Sequence, residues 1–153
     1  MGTCDFGRRY DAVREAVETL DGGEGLATAT THPDFVVANV VAPGDGTMVL
    51  VDWAGAGRAA RMWSLGFLLW SVGYVGDLAR VDRTVDGYRR HLTPEADELA
   101  RLEALVAARP VVFEAWGFAT ERKPLAEAAG GLTAIRERAA AIAARARAGF
   151  AAT

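Results

Sequence analysis

Two β-branched runs, FVVANVVA (35–42) and TMVLVDW (47–53), stand on either side of a turn cluster, PGDG (43–46), and the rest of the chain repeats mostly at helical spacing. Runs of this composition flanking Pro and Gly predict a β-hairpin. A lone hairpin is at best marginally stable in water, so it must lie on something else. The expected fold class is therefore mainly α with a small β-hairpin, an α+β arrangement.

The helical part divides at its own punctuation. Tyr10, Val13, Val17 and Leu20 predict a helix over 8–21, stopped by Asp21-Gly22-Gly23. A Thr/Ala stretch (27–31) then reads as a strand-like approach to the hairpin. Residues 59–75 form a nearly all-apolar helix to be buried on most sides. Leu78, Val81, Val85 and Leu92 mark a helix over 77–92. Thr93-Pro94 is expected to cap the next helix, which runs to about Arg109. Pro110 restarts the chain into a short helix, and Gly130-Gly131 separate a last one, 132–149, with Leu132, Ile135, Ala139, Ile142 and Ala146 on one face. No repeat and no long linker interrupts residues 1–153, so one domain is expected: a loop at 31–40, the hairpin at 35–53 and a helical body at 59–150.

Composition removes several classes of function. Hydrophobic residues make up 51% of the 153, enough for a core. The formal charge is −3, which gives no electrostatic reason to expect nucleic acid or an anionic membrane as partner. Cys4 is the single cysteine, so an internal disulfide and a Cys₂ or Cys₄ zinc site are excluded; it reads as an ordinary thiol near a frayed end. The first ten residues hold no apolar signal core, and the most apolar run (62–76) is too short to span a bilayer. A cytoplasmic protein is expected.

The chemistry concentrates at the hairpin. His32-Pro33-Asp34 and Asn39 lie on its entry, and Asp52 at its exit. A His-Pro-Asp triplet is also the mark of J-domain co-chaperones, but there it joins two helices, whereas here a Thr/Ala stretch precedes and a β-branched strand follows. A capped turn is the bland alternative, with Asp and Pro as turn formers and Asn39 closing an Asx turn. The wider pattern outweighs both. The entry and exit of a hairpin are neighbours in space, so His32, Asp34, Asn39 and Asp52 should converge. Phosphoryl transfer needs such a set: an Asp beside the attacking hydroxyl, and oxygen ligands for Mg²⁺.

His32-x-Asp34-x₄-Asn39, a short hairpin and then Val51-Asp52-Trp53 resemble the aminoglycoside phosphotransferase and choline kinase-like family, relatives of the protein kinases. The likeness extends through residues 55–70 and covers roughly 8–150. It implies the C-terminal lobe of a protein-kinase-like fold, with the N-terminal lobe absent. It also implies an ATP- and Mg²⁺-dependent phosphotransferase acting on a hydroxyl of a small substrate. In that family's terms Asp34 is the catalytic aspartate, His32 holds the catalytic loop by hydrogen bonds, and Asn39 and Asp52 bind Mg²⁺ and through it the nucleotide. Two positions depart from the pattern. Pro33 replaces a usual glycine, and Ser64 follows Trp63 where an aspartate normally braces the loop.

A kinase-type strand lysine and glycine-rich phosphate loop do not precede His32. Lys123 is the sole lysine, and the glycines at 44–47 and 21–25 read as turns. A truncated form is expected, poorly active alone, whose missing lobe is covered by a partner or a homodimer. The alternative is a non-catalytic pseudo-kinase-like helical module that binds a ligand or protein partner. Among the other residues, Trp63, Phe67 and Trp70 read as a core stripe, and Trp53 as the tryptophan nearest the site. His91 reads as structural, and Glu121-Arg122-Lys123 as a surface turn. The acidic sets Asp77, Asp82, Asp86 and Glu95, Asp97, Glu98 read as solvated helix faces.

Overall fold

In a computed structural model, which describes residues 3–152, the order of elements is α1 (Thr3–Glu18), β1 (Thr28–Thr31), a 3₁₀ turn (Val37–Asn39), β2 (Val40–Val41), β3 (Val49–Leu50), β4 (Gly57–Ala60), α2 (Arg61–Gly73), α3 (Ala79–Tyr88), α4 (Ala96–Ala119) and α5 (Leu125–Ala151). The fold is mainly helical with a few short strands, as the patterning implies. The side chain of Cys4 lies outside the described residues.

The hairpin is shorter than the β-branched runs suggest. Only Val40–Val41 pairs with Val49–Leu50, because residues 37–39 coil into the 3₁₀ turn. A second antiparallel pair, β1 with β4, carries the register Thr28↔Ala60 to Thr31↔Gly57. It clasps the neck of the whole excursion between residues 32 and 56. No β-branched signal marks β4, whose sequence is Gly-Arg-Ala-Ala, so its pairing is imposed by the position of β1.

The helical layer is built on α2. Met62, Leu65 and Leu69 are fully buried against Leu102, Leu105 and Val106 of α4 and Ala139, Ile142 and Ala146 of α5. Small residues let the backbones approach closely. A Cβ at Gly66 would lie 2.7 Å from the Leu105 carbonyl oxygen, so only glycine fits where α2 crosses α4. A second cluster joins Val13 and Ala16 of α1 to Val111 of α4 and Leu125, Ala128, Leu132 and Ile135 of α5. Trp70 and Ala107 touch both clusters.

Three expected boundaries are corrected by this packing. Pro110 does not restart the chain; α4 runs through it to Ala119, and Pro110 is itself buried. A proline inside a helix forgoes one hydrogen bond and bends the axis, and here the apolar contacts on either side of it keep the helix going. Gly130-Gly131 lie within α5, because the stripe Leu125, Ala128, Leu132, Ile135, Ala139, Ile142 continues through them without losing phase. Gly131 leaves room for the Glu114 carboxylate, which a Cβ there would meet at 3.0 Å. Finally, α4 opens at Glu95 rather than Thr93-Pro94. Glu95 and Glu98 form a reciprocal capping box, each side chain taking the other's backbone N–H.

Glu98 is also the main departure from the expectation of solvated acidic faces. It is fully buried, and Arg61 at the start of α2 donates to both its oxygens at 2.7 Å. The Arg61 guanidinium holds the Glu98 carboxyl below its ordinary range. One turn further along α4, Arg101 donates to Asp21 and to the Glu24 carbonyl, bolting the turn after α1 in place and thereby aiming β1. Asp82 pairs with Arg145. Among the described residues no helix is long and apolar enough to cross a membrane.

Candidate functional site

The loop between β1 and β2 is organised around a buried imidazole. His32 donates from Nε2 to the Val51 carbonyl at 2.8 Å, and its Nδ1 accepts the Asp34 backbone N–H at 3.1 Å. Both bonds together require the proton on Nε2. One ring therefore ties the entry loop to the exit strand and fixes the backbone at Asp34. Trp53 packs edge-on against the ring with centroids 4.8 Å apart, its own indole N–H donating to the Leu50 carbonyl. From below, the buried Ser64 hydroxyl donates to the His32 carbonyl at 2.8 Å. Ser64 thus reaches the loop from α2, from the position where the resemblance places a bracing aspartate.

Asp34 and Asn39 are brought together directly. The Asn39 amide nitrogen donates to the Asp34 carbonyl at 2.8 Å and to its carboxylate Oδ2 at 3.3 Å. With both donations made by nitrogen, the Asn39 Oδ1 is left without a hydrogen bond among the described residues. A hard cation would find a neutral oxygen donor there. The Asn39 carbonyl accepts the Val51 N–H at 2.9 Å, so Val51 is bonded through its carbonyl to His32 and through its amide to Asn39.

Asp52 is the next residue in the chain. It is exposed, makes no hydrogen bond or ion pair among the described residues, and adopts φ +62°. Aspartate tolerates that left-handed conformation better than most side chains, though it is still uncommon outside glycine. The structure thus links His32, Asp34 and Asn39 by direct bonds, whereas Asp52 joins them through the backbone of Val51 alone. Among the described residues no three His, Cys, Asp or Glu side chains gather tightly enough to hold a metal by themselves.

One neighbour is only weakly signalled by the sequence. Arg109 of α4 brings Nη2 to 3.5 Å from the free oxygen of Asp34, Oδ1. Its guanidinium carbon lies 5.5 Å from the Phe67 ring centroid and 5.3 Å from that of Phe113. Phe67 belongs to the expected core stripe and is buried; its second role is to seat this cation. The i, i+4 spacing of Arg109 and Phe113 was the only available signal, and α2 supplies the other ring from forty-two residues away in the chain. Lys123, by contrast, is accounted for by Glu114, which it meets at 2.7 Å.

This arrangement, a short hairpin whose loops carry two aspartates and an asparagine above a helical body, is a kinase-like fold. The chain superimposes on amicoumacin kinase hAmiN, solved in complex with AMP-PNP, Ca²⁺ and Ami, with a TM-score of 0.54 at 15% identity. The match covers 91% of this chain and 45% of that one, so the chain spans under half the length of that kinase. At this identity the likeness is one of fold. Sequence comparison alone matches no protein family and no curated protein.

Proposed function

We propose that the chain carries the catalytic loop of a Mg²⁺-dependent phosphotransferase that moves the terminal phosphoryl group of a nucleotide, ATP in the first instance, to a hydroxyl of a small molecule. The observation that supports this best is the Asp34–Asn39 pair, tied through Val51 to Asp52, within a kinase-like fold. The kinase of similar fold was solved with a nucleotide analogue and a divalent cation, which is the ligand class proposed here.

Each residue has a chemical task in this reading. Asp34 accepts the proton as the acceptor's hydroxyl oxygen bonds to the γ-phosphorus and the nucleoside diphosphate leaves. Asn39 Oδ1 and the Asp52 carboxylate hold Mg²⁺, which when bound neutralises charge on the phosphate oxygens. His32 and Ser64 keep the loop from shifting, since small misplacements of a catalytic group cost orders of magnitude in rate.

Calorimetric titration with Mg²⁺ tests the metal assignment. Asn39→Ala and Asp52→Asn should each weaken binding at least tenfold, about 1.4 kcal/mol. Binding retained in both variants overturns it. In the complete transferase, Asp34→Ala should abolish transfer with an unchanged thermal melt, and transfer persisting in that variant ends the proposal.

A second reading draws on the exposed apolar edge around the hairpin, where Met48 is 77% exposed and Val37 60%. A non-catalytic, pseudo-kinase-like module would use such an edge to hold a partner or a second copy. A well-folded chain that binds no divalent cation favours it.

A further inference from the structure

Two aspartates and one asparagine at the entry and exit of one hairpin pose a selection problem for a divalent cation. A carboxylate is a better ligand than an amide oxygen, so an unrestrained Asp34 would bind the metal together with Asp52. An aspartate bound to the metal cannot also take a proton from a hydroxyl. Something must keep the two aspartates in different roles.

We infer that Arg109 is the positioning residue that does this, holding Asp34 Oδ1 toward α4 and away from the cation. The inference rests on the proposed roles of Asp34, Asn39 and Asp52. Three observations carry it. First, the two oxygens of Asp34 face different partners: Oδ2 the Asn39 amide, Oδ1 the Arg109 guanidinium. The carboxylate is spanned between the asparagine and α4. Second, the guanidinium is seated by aromatic rings on both α2 and α4, Phe67 and Phe113, which are themselves packed edge to face at 5.8 Å. Cation–π contact fixes its plane without using its hydrogen-bond donors. Third, those donors are poorly used. Nε is buried with no partner, and the single contact to Asp34 is long. An arginine serving the fold would have its N–H groups satisfied. This one places a positive charge beside one carboxylate and does little else.

The sign of the consequence is specific. A fixed cation close to Asp34 repels a second cation from that carboxylate, at an effective dielectric where such terms are of kcal/mol size. Removing the charge should therefore tighten divalent binding, while a merely structural role predicts weaker binding or no change.

The probe is Mn²⁺ alone, a hard cation that takes the same oxygen ligands as Mg²⁺, followed by electron paramagnetic resonance on the full chain. Arg109→Met, which keeps an apolar stem between the two rings, should bind Mn²⁺ about tenfold tighter than the parent, within the usual range for coupled neighbours. Arg109→Lys should restore the parent affinity. The gain should disappear when Asp34→Asn is combined with Arg109→Met. A thermal melt accompanies each variant, and Arg109→Gln replaces Arg109→Met if that protein does not fold. Unchanged or weaker binding in Arg109→Met, or a gain that survives Asp34→Asn, overturns the inference. If that happens while Asn39→Ala and Asp52→Asn still lose Mn²⁺, the phosphotransferase reading stands and only the role of Arg109 falls. If the parent chain binds no Mn²⁺ at all, both fall together.

Discussion

Two arginines beside the α2–α4 seam meet carboxylates in opposite ways: Arg61 of α2 meets Glu98 of α4, and Arg109 of α4 meets Asp34 of the β1–β2 loop. Arg61 meets Glu98 through two bonds of 2.7 Å, and the carboxylate, fully buried, also takes the Glu95 backbone N–H. Both carboxylate oxygens are paired with the guanidinium and the capped backbone. Arg109 meets Asp34 through one contact of 3.5 Å, keeps a buried N–H unpaired and leaves the carboxylate 39% exposed. One end of the seam is satisfied as a core is satisfied. The other is left under-bonded beside the loop that carries Asp34 and Asn39. That contrast distinguishes a polar group that holds the fold from one that is available for something else.

The largest expected effect falls on the satisfied pair. Glu98→Ala leaves Arg61 only its longer contact to Glu95 and opens the α4 capping box, and should cost about 3–5 kcal/mol in chemical denaturation. A loss under about 1 kcal/mol would erase the contrast. The same pair, with Asp21 and Arg101, contributes to acid sensitivity. The folded-state pKa of Glu98 is lowered by Arg61 from 4.5, and that of Asp21 by Arg101 from 3.8. A depressed carboxylate contributes stability that is fully present above its unfolded pKa. That contribution is lost as pH falls through the folded value. Melts compared at neutral pH and below about pH 4 should show the loss, and Glu98→Gln should reduce it.

Next comes the seam itself. Gly66→Ala places a methyl group against the Leu105 carbonyl and forces α2 from α4, at about 1–3 kcal/mol. Because Phe67 follows Gly66, the same displacement should disturb the ring that seats Arg109. The change should appear in the near-ultraviolet circular dichroism as well as in the melt. Ser64→Ala is milder. It removes one buried donor from the His32 carbonyl and should cost about 1 kcal/mol, with local loss of amide protection at residues 32–34.

The seam also shows what the sequence discloses and what it conceals. Periodicity marked α2 and the second half of α5, whose buried stripes are regular, and the β-branched runs around the turn cluster put His32, Asp34, Asn39 and Asp52 at the entry and exit of one hairpin. Local punctuation misled at Pro110 and Gly130-Gly131, where packing across the helices outweighs weak propensities. The capping box was present as Glu95-x-x-Glu98, but Thr93-Pro94 two residues earlier is the more familiar start signal. The burial of Glu98 could not be read, because an acidic residue in a first turn looks solvated until its partner thirty-seven residues away is known. Arg109 was concealed for the same reason. Its meaning depends on Phe67 and Asp34, which only the tertiary fold brings to it.

The smallest expected effect is therefore the most informative. Arg109→Met removes a charged side chain that touches the proposed proton acceptor, two aromatic rings and a buried helix. Ordinary reasoning about a half-buried ion pair would forecast harm. The structure gives reasons for the reverse. The contact to Asp34 is long and partly solvated, where pairs contribute about 0–1 kcal/mol. The unpaired Nε carries a desolvation penalty that methionine does not. Methionine also packs well against aromatic edges. Stability in denaturant should change by less than about 1 kcal/mol in either direction, against several for Glu98→Ala. A loss of 3 kcal/mol or more would make Arg109 a second Arg61, a strut of the fold, and would remove the physical distinction between the two ends of the seam.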